Sequence, residues 1–221
     1  MCSSDLGSIH QSCFEAETSD AVRKLLAQAG QADVAMAPAA DMFEMGVKVQ
    51  VLKRGTMFPL RAAKLYDLYA RHATYESINE KDRTLLERDY FRRSFGDEWQ
   101  HTRSFFQHRD PSQIVKAESD PRHKMALVFR SYLGQSSNWA NKGDPSRQMD
   151  YQIWCGPSIG AFNAWVKGTF LENPDNRRTV VIAGNLLMGA ATLIRSIQLM
   201  QQGIHLPDKA CHYIPKPLEE I

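Results

Sequence analysis

Beyond Pro59 the chain no longer alternates: every later segment spaces its apolar residues three or four apart, and none sustains the two-residue period of a strand. Ahead of that point one short run, residues 33–37, has the length and flanks of a buried strand, and Pro38 ends it by removing a ladder donor. Such a chain can hold one strand–turn unit of α/β type at its front and is otherwise committed to helices. The fold class expected is mainly α.

The helices can be placed by their end signals. Thr18 or Ser19 can cap a helix over residues 20–29 with Val22, Leu25 and Leu26 at helical spacing, and Gly30 stands where a C-terminal cap belongs. Pro59 suits the first turn of a helix carrying Leu65, Leu68 and Tyr69, and Asn79 can cap another that holds Leu85, Leu86 and Tyr90. Further starts fall near Asp97, Pro111 and Pro121, and Met125, Val128, Phe129, Tyr132 and Trp139 make a core-facing stripe. A final helix, residues 177–202, puts Val180, Ala183, Leu187, Ala190, Ile194 and Ile197 on one side, and Gly203 closes it. Its apolar run, residues 179–194, is shorter than the roughly 20 residues of a bilayer span and contains Asn185, so it reads as a buried helix, with no membrane span. No internal repeat or low-complexity segment interrupts the chain.

Charge and cysteine usage exclude some functions. A formal net charge of +2, with basic and acidic residues interleaved, gives no concentrated basic face for nucleic acid. Cys2, Cys13, Cys155 and Cys211 show no CxxC spacing, which argues against a zinc site or a disulfide framework and fits reduced thiols in a cytoplasm. The first ten residues lack the apolar core of a secretory signal.

Residues 33–66, DVAMAPAADMFEMGVKVQVLKRGTMFPLRAAKLY, run from the short strand through an Ala/Met-rich turn into a basic, helix-like stretch. This segment, with GSIHQSCFEAETSDAVRKLL from Gly7 onward, resembles PfaD-type enoyl reductases, the flavin-dependent partners of polyunsaturated fatty acid and polyketide synthases, which also look like nitronate monooxygenases. The resemblance implies the last strands of an FMN-binding (β/α)8 TIM barrel plus an inserted helical domain. Residues 7–74 would belong to the barrel, 75–175 to the insertion, 176–206 to a closing barrel helix and 207–221 to a tail. Residues 33–36 would be the eighth strand, residues 7–11 the trailing end of the seventh, and most of the barrel would lie upstream. Residues 1–6, MCSSDL, match nothing in the family and read as adapter-derived sequence.

By the same resemblance Gly7, Ser8 and Gln11 are the cofactor-binding candidates. Glycine permits close backbone approach to a flavin phosphate, and barrels bind phosphate with the loops after strands seven and eight. Leu6 replaces the threonine of the family's TGS-type turn, and His10 stands where relatives carry asparagine. The loop 36–46, MAPAADMFEMG, would open at the catalytic face, with Met36 and Ala37 toward substrate and Asp41 and Glu44 as helix-start charges. Lys48, Lys53, Arg54, Arg61 and Lys64 form a basic cluster that can steer an acyl carrier protein or its phosphopantetheine arm, with Lys53 and Arg54 as the substrate-binding pair and Arg92 and Arg93 as a second patch. The residues that stabilise the enolate would lie upstream, leaving the catalytic residues unassigned here.

His101 and His108 lack a zinc-ligand spacing. Ser158 sits in GPSIG, which meets the letters of the GxSxG elbow but needs a strand before it, for which residues 149–154 are the only candidate. Two functions follow. One is part of an enoyl reductase that takes hydride from NADPH or NADH through FMN and reduces enoyl thioesters on acyl carrier protein, in company with fatty acid or polyketide synthase subunits. The other is a non-catalytic helical module, residues 75–221, docking carrier proteins or synthase subunits, or part of a protein like the acyl-carrier-protein malonyltransferases.

Overall fold

The computed structural model describes residues 3–220. In chain order it holds α1 (Ser3–His10), α2 (Asp20–Ala27), strands β1 (Val34–Pro38) and β2 (Lys48–Leu52), α3 (Phe58–Arg71), α4 (Glu80–Leu85), α5 (Phe95–Arg109), α6 (Pro111–Ser119), α7 (Pro121–Lys142), α8 (Ser158–Val166), α9 (Thr179–Gln201) and α10 (Asp208–Cys211). The chain is mostly helical, and it divides into two compact units, Val34–Trp154 and the flanking residues 3–33 with 155–220. Of the six residues read as adapter-derived, Met1 and Cys2 lie outside the described residues, while the other four begin α1.

In the unit Val34–Trp154 the strands pair antiparallel, from Val34 opposite Leu52 to Pro38 opposite Lys48. β2 corrects the reading of this stretch as helix-like. KVQVL alternates, and its β-branched residues turn to one face: Val51 is buried and Val49 packs on the core, while Lys48 and Gln50 are exposed. Five residues were too few to stand out against the lysines around them. The neighbour of β1 is therefore this antiparallel partner, and the sheet formed by the described residues has only these two strands.

The helices begin where their caps dictate. Asn79 accepts from the Asp82 amide at 2.9 Å, and Asp110 and Asp120 cap α6 and α7 ahead of Pro111 and Pro121. α5 starts at Phe95, two residues before the expected Asp97, because Ser94 is the cap. After α4 the ladder widens to a π turn over Leu86–Phe91 and stops at Arg92, whose φ is 58°. The stripe on α7 is the core: Met125, Val128, Phe129 and Tyr132 are buried, and Trp139 packs against them.

One buried charge ties this unit together. Asp150 is fully buried, receives the Tyr132 hydroxyl at 2.7 Å, and pairs with Arg61 and with Arg147, the latter at 3.2 Å. Arg147 also donates to the carbonyls of Tyr90 (2.6 Å) and Phe91 (3.1 Å), which the π turn leaves without helical partners. Burial, and then the Asp150 carboxylate beside it, hold the Tyr132 phenol well above its ordinary range, so it remains a donor.

In the second unit Ser19 caps α2, as expected, but that helix stops at Gln28 rather than Gly30. The Gly30 amide instead donates to the Asp33 carboxylate at 2.8 Å, and Gly160 of α8 lies so close to the backbone of Gly30 and Gln31 that a Cβ there would collide. Arg177 is buried, donating to Leu171 O at 2.9 Å and Asn163 Oδ1 at 3.0 Å over the Phe162 ring; burial lowers its pKa to about 10.

α9 departs most from expectation. Its buried positions are Val181, Ile182, Asn185 and Ser196, whereas Val180, Leu187, Ile194 and Ile197 of the anticipated core stripe are exposed. The helix has two faces, and the one that packs is the face opposite the periodic stripe. Asn185 decides this: its amide donates to Val181 O and Lys216 O, both at 2.8 Å, and its oxygen accepts from Lys216 N at 2.7 Å and the Tyr213 hydroxyl at 3.0 Å. At 23 residues α9 is long and apolar enough to cross a membrane by length and composition, unlike the shorter run read from the sequence.

Replacing Asp150 by Ala leaves two guanidinium groups and a phenol without their shared acceptor. Urea unfolding of D150A is expected to show a loss of about 3–5 kcal/mol; a loss under about 1 kcal/mol would mean that solvent already screens the cluster.

Candidate functional site

The connection between β1 and β2 is the best-defined functional candidate. The hairpin closes with Ala39 N donating to Val47 O at 2.9 Å, and a 3-10 turn over Phe43–Met45 fills the bend. Phe43 is fully buried, edge-on to Tyr66 at 5.5 Å and to Phe129 at 6.2 Å. Gly46 takes φ 72° against the Tyr66 hydroxyl, where a Cβ would collide, so both conformation and space require glycine.

The backbone of this loop is also held from outside. Arg130 Nε donates to Ala40 O at 3.0 Å, and Glu44 Oε1 lies 3.2 Å from His123 Nδ1 and 3.7 Å from Arg130 Nη1. Glu44, expected as a helix-start charge, does lie in the first turn of the 3-10 helix Phe43–Met45 and also faces these α7 side chains, while Asp41, expected likewise, precedes that turn and is exposed. With its interior side fixed, the loop presents methionines outward: Met42 is 44% and Met45 76% exposed. Polarizable, unbranched methionines on a fixed frame make an apolar surface that adapts to the shape of what it meets.

Met36 and Ala37, expected to face substrate together, point to opposite sides of β1, as consecutive strand residues must. Met36 is half-exposed, whereas Ala37 is fully buried in the core cluster and cannot touch a ligand. The basic cluster also divides. Arg61 pairs with Asp150 and Lys64 with Asp82 at 2.9 Å, so both serve the fold. Lys48, Lys53 and Arg54 are exposed, the last two in the turn after β2. The second patch is engaged as well, Arg92 with Ser146 O at 2.6 Å and Arg93 with Glu98 at 3.2 Å.

Gly7, Ser8 and Gln11 belong to the other unit. Gly7 leaves room, with no heavy atom within 4 Å of an added Cβ, and the Gln11 side-chain oxygen is buried without a hydrogen-bond partner. The remaining geometry does not suit a flavin phosphate. Gly7 and Ser8 lie past the first turn of α1, where their amides serve the helix rather than an anion, and the buried Ser8 hydroxyl accepts the Gly156 amide at 2.8 Å. The unpartnered atom on Gln11 is an acceptor, which a phosphate oxygen cannot satisfy. Where a turn trailing from a strand was expected, Gly7 and Ser8 lie in helix α1 and Gln11 follows its end.

GPSIG is not a nucleophile elbow. Residues 145–150 form a 3-10 helix rather than a strand, Trp154 makes only an isolated bridge to Val51, and Ser158 starts α8. Trp154 is exposed, and Trp165 packs edge-on to Phe162 at 6.1 Å. Among the described residues no three His, Cys, Asp or Glu side chains converge on a metal position. His123 and Arg130 are the residues that sequence reading missed. Nothing local marked them, since their contacts on the loop are separated from it by some eighty to ninety positions in the chain.

Known proteins place these features in context. The family model described as the inserted helical domain of [acyl-carrier-protein] S-malonyltransferase matches residues 72–151. The chain is 51% identical over 168 residues to a polyunsaturated fatty acid synthase polypeptide of Thraustochytrium sp., covering 75% of the chain and 11% of that protein. It is 47% identical over 203 residues to the polyketide biosynthesis protein PksE of Bacillus subtilis, covering 91% of the chain and 26% of that protein. The crystal structure of the enoyl reductase domain of MlnA, from the macrolactin biosynthesis cluster of Bacillus amyloliquefaciens, matches with a TM-score of 0.73 at 43% identity over 77% of the chain and 38% of that domain. The chain therefore corresponds to a minor part of each relative's length.

Thiol chemistry offers a check on the side-chain environments. Cys13 and Cys155 are buried, and burial followed by the nearby Asp33 carboxylate pushes the Cys155 thiol up to about 12, which suppresses the nucleophilic thiolate. Alkylation of the native protein at pH 8, mapped by peptide mass, is expected to label the partly exposed Cys211 well before Cys13 or Cys155; early labelling of Cys155 would contradict its placement.

Proposed function

Because the chain is homologous to a segment of polyunsaturated fatty acid synthase subunits and polyketide biosynthesis proteins, and to a solved enoyl reductase domain, we propose that it forms part of an enoyl reductase. The substrates would be enoyl thioesters carried on acyl carrier protein in polyunsaturated fatty acid or polyketide biosynthesis, a cytoplasmic pathway. The observation that carries this reading is the pinned loop after β1, with Met42 and Met45 turned outward, in a chain 43% identical to the enoyl reductase domain of MlnA.

A flavin, FMN, with NADPH or NADH as hydride donor, would supply the redox chemistry in such an enzyme. The residues described here bind and orient. Met36, Met42 and Met45 offer apolar contact to the acyl chain, and the rigid loop holds it in one place relative to the reacting centre. Lys53 and Arg54 attract the acidic surface of the carrier or the phosphate of its pantetheine arm, acting on encounter more than on the bound complex. The cofactor's phosphate would be held by groups other than the helical amides of Gly7 and Ser8.

We further propose that the flanking unit contributes to a (β/α)8 barrel of the nitronate monooxygenase type. The exposed stripe of α9 supports this, since Val180, Leu187, Ile194 and Ile197 make the apolar face that a barrel helix lays on its sheet. The helices between residues 72 and 151 would then be an insertion that leaves the barrel after its last strand and returns to it.

Two measurements test the proposal. The purified 221-residue chain is expected to be colourless, because a two-stranded sheet cannot enclose an isoalloxazine ring; a stoichiometric yellow flavin would contradict the assignment of the cofactor to other segments. Reversing Lys53 and Arg54 to Glu is expected to weaken association with an acyl carrier protein about tenfold at low salt, through a slower on-rate. Binding of a crotonyl-pantetheine thioester should stay unchanged, and equal weakening of both would remove the docking role.

A further inference from the structure

We infer that Arg130 and His123 of α7 are positioning residues for the outward-facing methionine loop, the end of a polar relay that runs from the helices 110–130 into the hairpin. This rests on the enoyl reductase reading for its substrate, but the relay is visible in the geometry alone. Asp110, the cap of α6, accepts the Gln113 Nε2 amide at 3.0 Å, which fixes that amide's orientation and aims its oxygen at His123 Nε2, 3.0 Å away. The other ring nitrogen of His123 is buried, makes no hydrogen bond, and stands 3.2 Å from Glu44 Oε1, where a protonated ring would form an ion pair. Arg130 completes the chain, facing the same carboxylate oxygen at 3.7 Å while its Nε donates to Ala40 O at 3.0 Å.

Arg130 is the link that reaches the loop directly. A connection between two short strands has few ladder bonds of its own and would open locally at low cost. Here one guanidinium reaches both ends of the connection: Arg130 donates a charge-assisted bond to Ala40 O and pairs with the Glu44 carboxylate, beside the buried His123 ring. Phe43, inserted between Tyr66 and Phe129, lies between these two points and fixes the turn's depth. Met42 and Met45 flank it, so the direction in which they project is set by side chains of α7. The helical segment matched by the malonyltransferase-insertion model thereby acts on substrate geometry without touching substrate.

The full chain, labelled with 13C-methyl methionine, allows a test by hydrogen exchange and methyl spectra, with crotonyl-pantetheine as the probe. R130M is expected to raise amide exchange across residues 40–46 about tenfold or more, the effect of losing a charge-assisted bond, with α7 still protected. R130K, which keeps a cation but not the planar fork, should recover part of the loss. In the parent protein the probe should shift the Met42 and Met45 methyl signals, and in R130M its apparent affinity should fall several-fold. Unchanged exchange over residues 40–46 in a folded R130M overturns the inference. Should R130M not fold, E44A removes the other half of the clasp from a partly exposed site and is read the same way. Raised exchange with no methyl shift on adding the probe overturns the substrate-facing reading while the clasp stands.

Discussion

The buried carboxylate of Asp150 is the constraint from which the unit Val34–Trp154 is organised. A fully desolvated anion is tolerated only where several donors converge, and here they come from separated elements: Arg61 on α3, Tyr132 on α7 and Arg147 in the 3-10 turn beside it. The same Arg147 caps the carbonyls that the π turn leaves exposed at Tyr90 and Phe91. Two irregularities, a widened helix and a buried charge, are thus solved by one side chain. With α3 and α7 locked in register, Tyr66 and Phe129 form the slot that receives Phe43, and the loop that carries the methionines inherits its geometry from the core.

Arg61 illustrates how this changes the functional reading. As a sequence it belongs with Lys53 and Arg54 in a basic cluster, yet the fold turns it inward to Asp150 and over the Tyr90 ring at 5.2 Å. Lys64 is drawn to Asp82 in the same way. Lys48 and Lys53 stay exposed, so the exposed part of the cluster is smaller than charge counting suggests.

Much of the helical framework is legible in the sequence. Ser19, Asn79, Pro111 and Pro121 announce helix starts because a cap or a fixed φ acts within one turn, and the α7 stripe announces the core because its period is local. β2 was not legible, since KVQVL becomes a strand by pairing with residues 34–38 and by laying Val49 and Val51 on the core, neither of which is written in five residues. The candidate loop could be located but not its contacts: Ala37 and Met36 are equivalent in sequence, and only strand alternation separates the buried one from the exposed one.

The sequence by itself determined where helices begin, which stretch carries the loop, and that the chain resembles the enoyl reductases of fatty acid and polyketide assembly, because capping, periodicity and motif are properties of neighbours along the chain. Only the tertiary structure decided which face of α9 is packed, which cations are internal, and that Arg130 bonds the backbone of a loop about ninety residues away. The physical reason is that a hydrophobic stripe or a charge carries no address. Its partner is chosen by the closest set of groups that can satisfy it once the backbone has closed, as Asn185 shows by turning α9 toward Tyr213 and Lys216 rather than along its apolar stripe.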